Sequence, residues 1–334
     1  MIKKPVKIIA EVGVNHNNDL NVARQLIDVA WESGADIVKF QLFSAEKIAT
    51  EVAPRAQYQK TGDSGDQKSL LRGLELTEDD YLALLDHAER RGVECIATAF
   101  DLDKIDFLQA QDQGFFKIPS GEITNLPYLR HVASFGKPVF LSTGMSTLEE
   151  IGVALDLLHE AGLERSDITV LHCTSAYPAP YRDLNLPAML SIRDEFQVRI
   201  GYSDHSVGIA VAVGAAALGA EVIEKHITLD RAMIGPDHQA SIEPDELREL
   251  VHSIRCIEQA IQSNQKEVSA SELENRDVVR RSIVARTAIR KGEILSIENL
   301  DTKRPGNGIS PMRWQEVIGT RAKREFRPDE LIEL

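Results

Sequence analysis

From residue 7 to about residue 262 the chain repeats one pattern: a short β-branched run, a polar turn, then apolar residues at helical spacing. The runs fall at 7–12, 36–41, 94–100, 115–120, 138–143, 168–173, 198–203 and 221–226, several of them apolar almost without interruption. A strand that is apolar on both sides is covered on both sides, the condition of a parallel sheet wrapped in helices. The helices between the runs carry their own punctuation. Residues 20–33 place Val22, Leu26, Ile27, Val29 and Ala30 on one face and stop at Gly34. Thr77 with Asp80 opens a helix that Gly92 closes, and Thr147 with Glu149 and Glu150 opens one that runs to Gly162. Residues 209–219 are almost all small, and 244–261 carry Leu247, Leu250, Val251, Ile254, Ile257 and Ile261 at helical spacing. Eight such units predict an α/β fold, the TIM (β/α)8 barrel. The competing arrangement is a doubly wound open sheet, and the missing G-x-G-x-x-G after the first run counts against it.

The repeat then ends. Residues 263–277 (SNQKEVSASELENRD) are polar and predict a linker over 263–278. Residues 279–334 alternate in short β-like runs, turn at Lys291 and Gly292, and contain KRPGNG, which predicts a small, mostly β domain. The barrel is thus expected over 1–262. A net charge of −14 argues against nucleic acid as a partner. Three widely spaced cysteines, Cys95, Cys173 and Cys256, fit a reducing compartment. No apolar run reaches the roughly 18 residues of a membrane span, so the expectation is a soluble, cytoplasmic protein.

In such a barrel the chemistry lies at the C-terminal ends of the strands, so the polar residues that close each run are the candidates. Glu11, Asn15 and His16 follow the first run, Lys39 and Gln41 close the second and Thr98 the third. Lys117, Ser120 and Glu122 end the fourth, and Ser142 and Thr143 the fifth. His172, Thr174, Ser175 and Tyr177 end the sixth, Ser203, Asp204 and His205 the seventh, and Glu224, Lys225 and His226 the eighth.

Three chemistries separate within this ring. His205 and His226 end neighbouring strands, so either they share a divalent cation with open positions, such as Mn²⁺ or Co²⁺, or they hydrogen-bond within the core. Lys39 and Lys117, with the hydroxyls of Ser120, Ser142 and Ser203, either hold a phosphate and a carboxylate or pair with glutamates, Lys39 with Glu11 for instance. Glu11 and Glu122 stand where a buried carboxylate can move a proton; a structural salt bridge is the alternative. Cys173 has no evident activating partner and reads as a buried thiol. His87, His131, His159 and His252 fall in helical patterns, while His16, His172 and His238 read as supporting residues.

Nine segments carry a resemblance: AEVGVNHNND (10–19), DIVKFQLF (36–43), FFKIPSGEITNLPYL (115–129), FLSTGMSTLEEI (140–151), LHCTSAYPAP (171–180), IGYSDHSVG (200–208), EKHITLD (224–230), GPDHQASIEPDEL (235–247) and KRPGNGISPMRW (303–314). With these, in family order along the whole chain, the sequence resembles the bacterial sialic acid synthases, which condense phosphoenolpyruvate with an N-acyl-mannosamine-type sugar. Residues 279–334 resemble the antifreeze-like (SAF) domain of that family. The resemblance implies an N-acetylneuraminate synthase: phosphoenolpyruvate, N-acetylmannosamine and water give N-acetylneuraminate and phosphate. It implies a divalent metal on His205 and His226, usually Mn²⁺, with Co²⁺ or Mg²⁺ as alternatives. Lys39, Thr98, Lys117, Ser120, Ser142, Ser175 and Ser203 would hold phosphoenolpyruvate, Ser175 standing where other members carry Asn or Thr. Glu11 and Glu122 would be the acid/base carboxylates, Glu122 activating water at C2. Gln41, Tyr177 and Asp237 would contact the sugar. Arg304 would reach the sugar in the barrel of a second copy, implying a homodimer with swapped SAF domains.

The alternative acceptor is 2,4-diacetamido-2,4,6-trideoxymannose, which gives legionaminate; residues 53–66, including Gln57 and Tyr58, are expected to help choose. Outside the family, the rivals are a metal-dependent 2-keto-acid aldolase, a Schiff-base aldolase on Lys117, and a carbohydrate- or ice-binding protein led by the C-terminal domain.

Overall fold

The structure, a computed structural model, describes residues 5–54, 66–261, 263 and 265–334. Gln57 and Tyr58 lie outside these. The chain divides into two compact units, Met1–Gln262 and Ser263–Leu334.

The first unit is a TIM barrel. Its strands are β1 (Lys7–Gly13), β2 (Ile37–Leu42), β3 (Glu94–Ala99), β4 (Phe116–Ile118), β5 (Val139–Ser142), β6 (Ile168–Cys173), β7 (Arg199–Asp204) and β8 (Val222–His226). They pair in parallel in the order β3-β2-β1-β8-β7-β6-β5-β4, so the first strand meets the last, from Lys7 opposite Val222 to Glu11 opposite His226. β4 is shorter than the run 115–120 suggests because Pro119 brings no N–H and Ser120–Glu122 turns into a 3₁₀ helix.

The two ends of the pairing order, β3 and β4, stand side by side, and a side chain spans the seam. Gln113, buried, accepts from the Ala97 N–H at 2.8 Å and donates to the carbonyls of Ala97 at 3.1 Å and Phe115 at 2.9 Å. Tyr128 donates its hydroxyl to the Ala99 carbonyl at 2.5 Å. The amide thus supplies the donor and acceptor that a strand ladder would have supplied.

Outside the strands the helices bury the faces their periodicity marks. Ala23, Leu26, Ile27 and Ala30 go inside from Leu20–Glu32, and Leu247, Leu250, Val251 and Ile254 from Pro244–Ala260. Full burial of one Leu or Ile contributes about 1.5–3 kcal/mol, so each such face outweighs its capping contributions. Inside, Ile9, Ile37, Ile96, Phe115, Phe140, Leu171 and Val222 form a separate apolar cluster that floors the barrel. Gly201 completes that floor: a Cβ there would run into the Leu171 side chain and lie 2.7 Å from the Val222 carbonyl oxygen.

The second unit has its own core of Ile283, Ala285, Ile289, Leu295, Leu300, Val317, Ala322, Phe326 and Ile332. Antiparallel strands β9 (Ser282–Ala285) and β10 (Leu300–Lys303) and three isolated bridges frame it. Part of the stretch expected to be linker is helical: Ala270–Val279, opened by a reciprocal Ser269–Glu272 capping box. It buries no residue, so the apolar periodicity that betrays a packed helix is absent. Among the described residues no helix is long and apolar enough to cross a membrane.

Candidate active site

Strand alternation returns a side chain to the barrel interior two residues beyond each floor residue. Those positions hold Glu11, Lys39, Thr98, Lys117, Ser142, Cys173, Ser203 and Glu224, a complete polar layer on an apolar floor. Lys39 Nζ lies 2.7 Å from Glu11 Oε2, donates to Thr98 Oγ1 at 3.0 Å and stands 3.7 Å from Glu224 Oε2. Lys117 Nζ donates to both Glu224 oxygens, at 2.9 and 3.0 Å, and Ser203 Oγ donates to Glu224 Oε1 at 3.1 Å. All four charged side chains are at most 5% exposed. Both lysines are therefore paired: Lys39 with Glu11, one of the two arrangements weighed from sequence, and Lys117 with Glu224.

Burial dominates the titration of these groups, and the neighbours decide its outcome. Burial pushes the Glu11 carboxyl up despite Lys39. It would raise Glu224 as well, but Lys117 and Lys39 together hold that carboxyl well below the usual range. Burial draws Lys117 down against the pull of Glu224, whereas Glu11 and Glu224 outweigh burial at Lys39 and hold it up.

One step further towards the mouth stand Gln41, Ser175, His205 and His226. Gln41 Nε2 donates to Glu11 Oε1 at 3.0 Å. The Tyr177 ring stacks on His205 at 4.1 Å between centroids and meets His226 edge-on at 5.7 Å; the two imidazoles are 5.5 Å apart. Asp237 Oδ2 is 3.7 Å from His226 Nδ1. Burial, with the Glu11 charge, pushes Asp237 up to about 7. Ser120 and Ser175 converge on Gly144, whose N–H donates to Ser120 Oγ at 2.9 Å; a Cβ there would collide with the Ser175 hydroxyl. Cys173 Sγ is 3.2 Å from Ser120 Oγ, and the buried Ser142 hydroxyl has no partner among the described residues.

The histidine pair could hold a metal ion. A carbonyl can only accept, so the 2.8 Å bond to Thr174 O places the His205 proton on Nδ1 and leaves Nε2 bare. Burial takes His205 down to about 4 and His226 well below its ordinary value, which favours the neutral rings that metal ligation requires. His226 Nδ1 is buried and without a hydrogen bond among the described residues. No group of three His, Cys, Asp or Glu donors forms a full shell among those residues. Two imidazoles would leave most coordination positions to water and substrate, the form suited to a Lewis acid.

Two expected residues are not among these contacts. Glu122 is half-buried on the 3₁₀ turn after β4, and its carboxylate is taken by the Asn125 amide at 2.5 Å. Arg304 belongs to the second unit, exposed just past β10. Asp204 and Lys225, which also end strands, point to the other face and pair with each other at 2.8 Å, wholly buried. Glu224 is legible in the sequence as a strand end but not as the partner of the lysines. Its signal was the E-x-H spacing, which puts Glu224 and His226 on one face of β8.

Two ammonium groups, each paired with a glutamate and ringed by hydroxyls, lie beneath two imidazoles, an arrangement that could seat an anionic substrate below a polarisable carbonyl. Residues 26–266 match the NeuB family and residues 280–333 the SAF domain. The chain is 49% identical to the N,N'-diacetyllegionaminic acid synthase of Campylobacter jejuni, over 98% of this chain and 99% of that protein. It is 48% identical to the Legionella pneumophila enzyme of the same name, over 94% of this chain and 89% of that one. Human N-acetylneuraminate-9-phosphate synthase is 38% identical over 90% of this chain and 83% of its own length. The crystal structure of N-acetylneuraminic acid (sialic acid) synthetase from Leptospira borgpetersenii, in complex with citrate, superposes with a TM-score of 0.72 at 34% identity, covering 81% of this chain and 90% of that one. The chain belongs to the NeuB family of sialic acid synthases, and is a transferase that forms a carbon–carbon bond.

Proposed function

We propose that the chain condenses phosphoenolpyruvate with 2,4-diacetamido-2,4,6-trideoxymannose and water, giving N,N'-diacetyllegionaminate and phosphate. The observation that carries this reading is the 49% identity, end to end, with an N,N'-diacetyllegionaminic acid synthase, against 38% with the human N-acetylneuraminate-9-phosphate synthase. That difference favours the diacetamido sugar over N-acetylmannosamine, the acceptor placed first from sequence.

Lys39, Thr98, Lys117, Ser142 and Ser203 hold phosphoenolpyruvate in the buried layer, with Ser120 and Ser175 donating from the rim beside Gly144. Gln41, Tyr177 and Asp237 orient the sugar so that its aldehyde carbon faces C3 of phosphoenolpyruvate. Mn²⁺, held by His205 and His226, with Co²⁺ or Mg²⁺ as substitutes, would polarise the aldehyde. C3 attacks the aldehyde carbon, water adds at C2 with Glu122 taking its proton, and the C2–O bond to phosphate breaks. Glu11, kept easier to protonate by burial, gives a proton to the alkoxide oxygen left at the former aldehyde, and the C2 hydroxyl proton leaves with phosphate as the ketone forms. Arg304 of one copy contacts the sugar in the barrel of a second, in a domain-swapped homodimer located in the cytoplasm.

The test is inorganic phosphate release from phosphoenolpyruvate with Mn²⁺, offering each sugar separately. Release with the diacetamido sugar at a kcat/KM at least tenfold above that with N-acetylmannosamine is expected. The opposite preference returns the assignment to N-acetylneuraminate, and silence with both overturns the condensation. His205→Ala should abolish Mn²⁺ binding in calorimetry; unchanged binding removes the metal assignment.

A further inference from the structure

The loop that leaves β8 carries Asp237, and it is tied at two points to the turn that leaves β1. Asn17 Nδ2 donates to the Ile234 carbonyl at 2.9 Å and stands 3.2 Å from His238 Nε2. Asn15 Nδ2 donates to the Ile227 carbonyl at 2.9 Å and to Ser241 Oγ at 2.8 Å, and Ser241 Oγ donates to the carbonyl of Asp237 at 2.7 Å.

The protons can be followed through this assembly. Thr228 Oγ1 gives its one proton to the Asp230 carbonyl at 3.0 Å, so across the 2.7 Å contact it accepts from His238 Nδ1–H. An imidazole protonated on Nδ1 is bare on Nε2, which is what the second amide proton of Asn17 requires. His238 is fully buried, and burial holds it below its ordinary pKa, in keeping with a neutral ring. Gly235 lies under the assembly: a Cβ there would be 2.6 Å from His238 Cδ2 and 2.9 Å from Asn17 Oδ1. The loop therefore has one seating, with every donor matched to an acceptor.

We propose that Asn17 and His238 are positioning residues for the condensation: the neutral strut Asn17–His238–Thr228 fixes the β8 loop so that the Asp237 carboxyl stands 3.7 Å from His226. The inference rests on Asp237 contacting the acceptor sugar. His238 is not itself required to touch substrate.

The test uses the full chain with Mn²⁺, phosphoenolpyruvate and 2,4-diacetamido-2,4,6-trideoxymannose. Asn17→Ala and Asn17→Asp both remove the amide protons, and thermal melting identifies which variant folds. Either should raise the KM for the sugar at least fivefold while the Kd for phosphoenolpyruvate, measured by calorimetry without sugar, stays within twofold. In a D237A background the same substitution should add less than twofold, because the strut acts through Asp237. A sugar KM unchanged in both Asn17 variants, alongside a raised KM in D237A, overturns the strut. An unchanged KM in D237A overturns the sugar-contact reading instead. Nitrogen-15 spectra of the histidine rings test the strut without turnover: a proton on His238 Nδ1, displaced in N17A, is expected, and a proton on Nε2 in the unaltered protein overturns it.

Discussion

Glu224→Gln keeps the shape of the side chain and removes one of two negative charges from a buried layer that also holds two positive ones. Lys117 loses carboxylate contacts at 2.9 and 3.0 Å and Lys39 one at 3.7 Å. At an effective dielectric near 20 the gross attraction is about 6 kcal/mol across the shorter distance and about 4.5 kcal/mol across the longer. Most of that offsets the desolvation of the charges, and breaking one partner of a buried pair costs about 3–5 kcal/mol net. For a chain of this size the melting temperature should fall by roughly 4–7 °C. The pH dependence has a definite sign. In the variant Lys117 keeps burial and the Lys39 charge but no carboxylate of its own, so its folded pKa drops further below 10.5. The unfolded chain then binds more protons than the folded one over that interval, and stability rises with pH there. The deficit against the unaltered protein should be largest near pH 7 and shrink towards pH 10. Urea unfolding followed by circular dichroism at pH 7, 8.5 and 10 measures it. A deficit under 1 kcal/mol at pH 7, or one that grows with pH, would refute the ion-paired layer.

Two further outcomes follow from the structure. Gln113→Leu leaves the N–H and carbonyl of Ala97 buried without partners, costing about 2–5 kcal/mol; unchanged melting, or an Ala97 amide that exchanges no faster, would mean the seam is closed some other way. Asp237→Asn removes a carboxyl raised from 3.8 to about 7. A carboxyl raised in the folded state gives stability below its unfolded pKa that is lost as pH rises through the folded one, so the metal-free variant should gain on the unaltered protein above pH 7, by up to about 4 kcal/mol, and not at pH 4. Equal stabilities at pH 8 would show that Asp237 is not desolvated.

The strands were legible because a strand covered on both faces must be apolar nearly throughout, and the two-residue alternation then points to the site. Glu11, Lys39, Thr98, Lys117 and Ser142 each follow an inward apolar residue at that spacing. What was not legible depends on partners far off in sequence. Nothing near Gln113 shows that its amide substitutes for a ladder, since the gap it fills exists only once β3 meets β4. Glu224 stands just before Lys225 and His226 in a run of three ionisable residues, and only the paired lysines across the barrel reveal it as the charge that both share. The helix at Ala270–Val279 buries nothing, so its sequence had no apolar stripe to display.

The apolar floor turns depth into timing. With Ile9, Phe115, Phe140 and Leu171 closing the barrel beneath the lysines, the interior is a blind shaft. A ligand on the lysine layer lies two strand residues, about 6–7 Å, below one held at the histidines. Whatever occupies the lower position must arrive first and depart last, as in a stack of plates. Kinetics with this enzyme should therefore be ordered, and a sugar bound ahead of the anion would obstruct the reaction it is meant to join.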